Sequence, residues 1–106
     1  MEPVLIEDLV RWSGGRLLCG NPQDYVASVT INSREVQTGA LFVPIVGEKV
    51  DAHRFIDSAL EAGAAAVLTQ KHETAQGGNA WIRVDDTQRA LQDIAAGYRS
   101  LFTLPV

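Results

Sequence analysis

The stretch from Ala40 to Thr69 constrains this chain more than any other. A nearly unbroken apolar run over 40–46 gives way to a polar segment over 47–52. Phe55, Ile56, Ala59 and Leu60 then recur at helical spacing, Gly63 closes the segment, and a second short apolar run follows over 65–69. An apolar run that short, without alternation, suits a strand buried on both faces. The spacing between the runs predicts an amphipathic helix over about 53–62. Strand, helix and strand in that order form the unit from which parallel or mixed sheets covered by helices are built. Pro44 limits the first strand, because it has no N–H to give to a ladder.

The flanking segments extend the same pattern. Leu5, Ile6, Leu9, Val10 and Trp12 before Gly14-Gly15 predict a helix over about 5–13 stopped by glycine. Residues 16–19 read as a short strand, and 20–22 as a turn. The β-branched set Val26, Val29, Thr30 and Ile31 predicts a strand over 26–31. Further strands are expected over 65–69 and 80–84. The polar segment 70–79, with Gly77-Gly78, is the expected flexible loop. After the capping residues Asp85-Asp86-Thr87, one apolar face made of Ala90, Leu91, Ile94, Ala95, Tyr98, Leu101 and Phe102 predicts a helix over about 87–101. The expected fold is a three-layer α/β sandwich with a mixed or parallel sheet of about four to five short strands flanked by helices.

Composition narrows the function classes. A chain of 106 residues allows one domain with a real core. A net charge of −4 argues against a broad nucleic-acid-binding surface. No apolar run is long enough to span a membrane, and the N-terminus has no basic signal-peptide region. The single cysteine, Cys19, excludes an internal disulfide and reads as a small apolar residue. His53 and His72 lack neighbours at metal-ligand spacing, and neither a phosphate-loop nor a dinucleotide glycine pattern is present. A cytoplasmic protein is expected, and no catalytic or metal-ligating residue is assigned.

Two segments have candidate chemistry. At the end of a strand, Asn32, Ser33 and Arg34 place a hydroxyl and a guanidinium where open α/β sheets bind ligands, and both groups reach phosphate oxygens. The same residues also suit a polar turn bonding its own backbone. Between the buried strand and the next helix, residues 47–53 offer Gly47, Lys49 and His53 near a helix start, a setting that suits an anion. The other reading is that Asp51 simply caps that helix while Lys49 is solvated. The aromatic residues Trp12, Phe42, Phe55, Tyr98 and Phe102 fall on apolar faces and read as core rather than stacking platforms, while Trp81, in a strand, suits either role.

Taken together, these segments resemble a known family. Ile31-Asn32-Ser33-Arg34-Glu35-Val36, then Gly39-Ala40-Leu41-Phe42-Val43-Pro44, then residues 47–56 with Gly47-Glu48, Asp51-Ala52-His53 and Phe55-Ile56, then Ala59 and Gly63-Ala64, resemble the N-terminal domain of the Mur ligases. The family pattern is an Asp-Ser-Arg triplet, a glycine followed by a Leu-Phe stretch, and a Gly-Glu stretch leading to Asp-Gly/Ala-His. The match covers nearly the whole chain. Asn32 departs from it, standing where the family usually has Asp.

The resemblance implies an ATP-dependent amide-forming ligase of peptidoglycan synthesis, in which an acyl phosphate on the substrate carboxylate is attacked by an amine. It implies that ATP and Mg²⁺ belong to a following central domain, that a C-terminal ligase domain lies beyond, and that residues 1–106 alone are inactive. The first domain of such ligases holds the UDP end of a UDP-N-acetylmuramoyl-peptide. By motif, Ile31, Ser33 and Arg34 would face the UDP group, Glu48, Lys49 and Val50 would lie on the loop closing over it, and His53 would join them or act in capping. Nucleic acid and membrane are not expected partners. The opening and closing segments look most like the branch that adds D-alanyl-D-alanine to the tripeptide. The preceding branch, which adds the third stem-peptide residue, is the alternative, and a regulatory domain reusing the fold is a second.

Overall fold

The computed structural model describes residues 3–47, 50–75 and 77–101. Glu48, Lys49, Phe102 and the apolar end at 104–106 lie outside the described residues.

The elements in chain order are β1 (Val4–Leu5), α1 (Ile6–Ser13), β2 (Arg16–Cys19), β3 (Tyr25–Val26) and β4 (Ser28–Thr30), then a 3-10 turn (Ser33–Glu35) and β5 (Ala40–Phe42). A second 3-10 turn (Ala52–Phe55) runs into α2 (Ile56–Glu61), followed by β6 (Ala66–Thr69), β7 (Ala80–Arg83) and α3 (Thr87–Ser100). Five strands form one mixed sheet in the order β2-β7-β6-β5-β4. β4, β5, β6 and β7 run parallel, and β2 pairs antiparallel with β7. The small β1–β3 pair forms a second, antiparallel sheet.

Side chains alternate across the central strands, so both faces of the sheet are buried. Leu41, Val43, Ala66, Leu68 and Ile82 pack with α1 and α3 on one face. Phe42 and Val67 pack with Ile56 and Ala59 of α2 on the other. This is the expected three-layer α/β sandwich. The close approach of α1 and α3 depends on Gly97. A Cβ built there would lie 2.3 Å from Cγ of Trp12. The indole therefore rests on bare helix backbone.

Three expectations need correction. The predicted strand 26–31 is two strands in different sheets: Val26 pairs with Val4, whereas Ser28 pairs with Ala40. Ile31 lies past the end of β4 and is exposed. The predicted strand 40–46 stops early. The Val43 N–H still reaches the Thr30 carbonyl at 2.9 Å, and Pro44, though buried, has no N–H to continue. The predicted helix 53–62 begins as a 3-10 turn, because Asp51 caps it tightly, and becomes α-helical only from Ile56.

The segment 70–79 joins two parallel neighbours without a helix. It is anchored at its two ends, through residues 70–73 and through Asn79. His72 meets the Trp81 ring edge-on with centroids 5.0 Å apart. Asn79 donates to the Ala64 carbonyl at 2.6 Å, and the Cys19 thiol donates to the Asn79 carbonyl at 3.3 Å. Among the described residues no helix is long and apolar enough to cross a membrane.

Candidate functional site

The site lies at the carboxyl ends of β4 and β5, where open α/β sheets bind ligands. Beyond β4 the backbone turns sharply, held by short polar side chains. The Asn32 N–H donates to Thr30 Oγ1 at 3.1 Å, and Asn32 Oδ1 accepts the Arg34 N–H at 2.9 Å. Both bonds use groups that Asn and Asp share, so a neutral Asn32 caps the 3-10 turn without needing the family's carboxylate. The turn leaves Ser33 half-exposed and the Arg34 side chain exposed.

Beyond β5 the chain makes a narrow hairpin. Val46 bridges Asp51, the Gly47 N–H donates to the Val50 carbonyl at 2.9 Å, and the Ala52 N–H donates to the Ile45 carbonyl at 3.1 Å. Val50 is exposed on its returning arm.

Asp51 and His53 hold this hairpin to the rest of the fold. Asp51 Oδ1 accepts the His53 backbone N–H at 2.9 Å and lies 2.6 Å from His53 Nδ1. The other ring nitrogen, Nε2, accepts the Gln70 N–H at 3.0 Å. An acceptor at Nε2 fixes the neutral tautomer with its proton on Nδ1, donating to Asp51. The second Asp51 oxygen meets the Lys71 ammonium. Gln70 in turn accepts from the Thr87 N–H at 3.0 Å at the start of α3. One chain of hydrogen bonds thus runs from the hairpin across β6 to α3. Burial raises the affinity of the Asp51 carboxyl for its proton. The Lys71 ammonium and the two His53 donors, its backbone N–H and its ring N–H, outweigh that effect and hold Asp51 well below the ordinary carboxylate range.

These elements bring Ile31, Asn32, Ser33 and Arg34 together with Ala52 and Phe55 around an open cleft of about 400 Å³. The lining joins apolar residues, exposed Ile31 and Phe55, with Ser33 and Arg34, which carry a hydroxyl and a guanidinium. Of the residues expected at the site, Ile31, Ser33 and Arg34 line the cleft together. Val50 stands on the neighbouring hairpin, and Glu48 and Lys49 lie outside the described residues. His53 is buried, and both of its ring nitrogens already have partners within the protein, so it orders the site from beneath rather than facing it.

Sequence reasoning missed Ala52 and Phe55 as cleft walls, since Phe55 reads as core by its helical spacing. It also missed Lys71 and Gln70, which lie in a polar loop and reach the hairpin only through tertiary folding. Among the described residues no group of three or more His, Cys, Asp or Glu side chains is arranged to hold a metal ion.

The fold is a three-layer α/β domain with an open cleft at the strand ends, and comparison with known proteins assigns its family. A sequence model described as "Mur ligase family, catalytic domain" matches residues 25–99, and the chain belongs to the Mur ligase family. It is 40% identical over 82 residues to a UDP-N-acetylmuramoyl-tripeptide–D-alanyl-D-alanine ligase of Synechocystis, a match covering 76% of this chain and 18% of that protein. It is 36% identical over 91 residues to a UDP-N-acetylmuramoyl-L-alanyl-D-glutamate–2,6-diaminopimelate ligase of Geobacter sulfurreducens, covering 86% of this chain and 18% of the relative.

Among solved structures, MurF from Acinetobacter baumannii superposes with a TM-score of 0.83 at 24% identity, over 95% of this chain and 22% of that one, a likeness of fold. MurF from Thermotoga maritima, solved in complex with ADP, gives a TM-score of 0.57 at 31% identity over 66% of this chain and 16% of that one. The chain spans about a fifth of the length of the curated relatives it matches.

Proposed function

We propose that this chain is the substrate-anchoring N-terminal domain of an ATP-dependent ligase that adds D-alanyl-D-alanine to UDP-N-acetylmuramoyl-tripeptide in peptidoglycan synthesis. The observation that supports this reading is the cleft at the ends of β4 and β5. It pairs an apolar wall at Ile31 and Phe55 with a hydroxyl and a guanidinium at Ser33 and Arg34. A nucleoside diphosphate has the same division: a flat, weakly polar base at one end and an anionic diphosphate at the other. Arg34 offers a forked donor to phosphate oxygens, and Ser33 a single one. Val50, on the hairpin beside the cleft, would approach the UDP group, and the resemblance gives Glu48 and Lys49 the same role.

The domain's contribution to the reaction is positional. Binding energy spent on the remote UDP end would hold the reacting carboxylate within reach of the ATP and Mg²⁺ that the rest of such a ligase would supply. His53 and Asp51 contribute by fixing the hairpin. The ligase that adds the third stem-peptide residue is the second reading, supported by relatives of that name at 36–38% identity.

Amide NMR titrations with UDP, UMP and ATP test the anchoring role. Shifts that saturate with UDP and cluster at residues 31–34 and 50–55 are expected. Arg34→Ala should weaken UDP binding by roughly 1.5–3 kcal/mol, at least tenfold in Kd, without unfolding the domain. Ser33→Ala should weaken it less. Equal, diffuse shifts with all three nucleotides, or an Arg34→Ala protein with unchanged UDP affinity, would refute the assignment.

A further inference from the structure

On the far side of the sheet, two arginines stand directly opposite each other. Arg16 of β2 and Arg83 of β7 are Cα partners in the antiparallel ladder, so their side chains leave the same face. Like charges in that relation repel. Here a single carboxylate lies between them. Glu73 Oε1 is 3.1 Å from Arg83 Nη1, and Glu73 Oε2 is 3.4 Å from Arg16 Nη2. Each guanidinium gives Glu73 one contact rather than a parallel pair, so most donors of the two forks are uncommitted to it. Arg83 is held in place, with only 24% of its side chain exposed and Nη1 donating to the His72 carbonyl at 3.2 Å. Glu73 is 69% exposed, on the segment joining β6 and β7. An exposed pair of this kind contributes about 0–1 kcal/mol.

We propose that Arg16 and Arg83 form a second oxyanion-binding site, for a phosphate-sized group, which Glu73 occupies as an internal stand-in. The two arginines open onto a cleft of about 280 Å³ bounded by Gly14, Gly15 and Asp85. That volume holds a phosphate group together with several waters, each of which takes about 30 Å³. Arg83 ends a parallel strand, so this cleft also lies beyond a strand's carboxyl end. Asp85 leaves the site with one net positive charge once Glu73 swings away, which favours a singly or doubly charged oxyanion over a polyphosphate. The site is distinct from the cleft at Arg34. β2 and β4 are the two edges of the five-stranded sheet, about 19 Å apart at four strand spacings.

The test is an NMR titration of the arginine Nε–H signals with inorganic phosphate at constant ionic strength, with acetate and chloride in parallel. It is run in an Arg34→Ala background so that the first cleft does not contribute. Glu73→Gln keeps the side-chain shape and removes the competing charge. The Arg16 and Arg83 signals should then shift and saturate at about fivefold lower phosphate than with Glu73 present, the equivalent of about 1 kcal/mol. Acetate should compete and chloride should not. Arg16→Gln, at an exposed edge position, should abolish the saturable response in the Glu73→Gln protein while leaving its thermal unfolding unchanged. An Arg16→Gln/Glu73→Gln protein that titrates like Glu73→Gln alone would overturn the proposal. So would signals that respond to phosphate and chloride alike, or that do not saturate. None of these results bears on UDP binding at the other edge.

Discussion

Replacing Asp51 tests whether a single carboxylate holds the hairpin to the body of the domain. Asp51→Ala removes the cap on the 3-10 turn at 52–55, a loss of about 1 kcal/mol. It also removes a charged acceptor 2.6 Å from His53 Nδ1, a contact of about 1.5–3 kcal/mol, and leaves a buried ring N–H without a partner. The Lys71 pair adds little, since that side chain is 56% exposed. The total is about 3 kcal/mol, which lowers Tm by roughly 12 °C or more at about 4–8 °C per kcal/mol. Asp51→Asn keeps the cap but loses the charge and should cost about half as much. The effect depends on pH in a defined direction. The folded-state pKa of Asp51 lies below its ordinary 3.8, so its stabilisation is fully present above that value and is lost as pH falls through the folded-state value. Urea unfolding of wild type and Asp51→Asn should therefore differ equally at neutral pH and at about pH 5, and converge in strong acid. A difference that stayed constant into strong acid, or an Asp51→Ala loss under about 0.5 kcal/mol, would refute the account of the hairpin.

Gly97→Ala should destabilise the domain, although alanine is the better helix former by about 1 kcal/mol. The new Cβ would sit 2.3 Å from the Trp12 indole, and such overpacking costs about 1–3 kcal/mol; denaturant unfolding and Trp fluorescence read both effects. Asn32→Asp should leave stability within about 0.5 kcal/mol of wild type, because either side chain caps the 3-10 turn. A larger change in thermal unfolding would mean that the charge at this position matters to the turn.

Much of the fold is legible because its signals are local. The unbroken run at 40–43, the 3.6-residue pattern at 55–60 and the capping Asp86 before α3 each specify an element from adjacent residues. What is not legible is where the chain changes partners. Val26, Val29, Thr30 and Ile31 read as one β-branched strand, and nothing in their pattern marks Ala27 as the point where the backbone leaves β1 and joins β5. That switch is imposed by two separate ladders. The shortened β5 was half visible, since Pro44 announces the missing N–H but not that the burial continues past it.

The candidate site divides along the same line. The turn after β4 is specified by Thr30, Asn32 and Arg34 within five residues of sequence, so a short motif carries its geometry entire. The hairpin after β5 is different. Its cap is local, but its anchor is the bond from the Gln70 N–H to His53, a contact across 17 residues, extended by Gln70 to Thr87 another 17 further on. A histidine read beside Lys49 looks like a ligand for an anion. Placed in the fold, with one nitrogen on Asp51 and the other on the Gln70 N–H just past β6, it ties the cleft's second wall to elements that do not line the cleft. Only changes that displace the Gln70 backbone should therefore reach the cleft through His53, because the N–H that His53 accepts is a main-chain one, whereas changes in the turn after β4 act on the cleft directly.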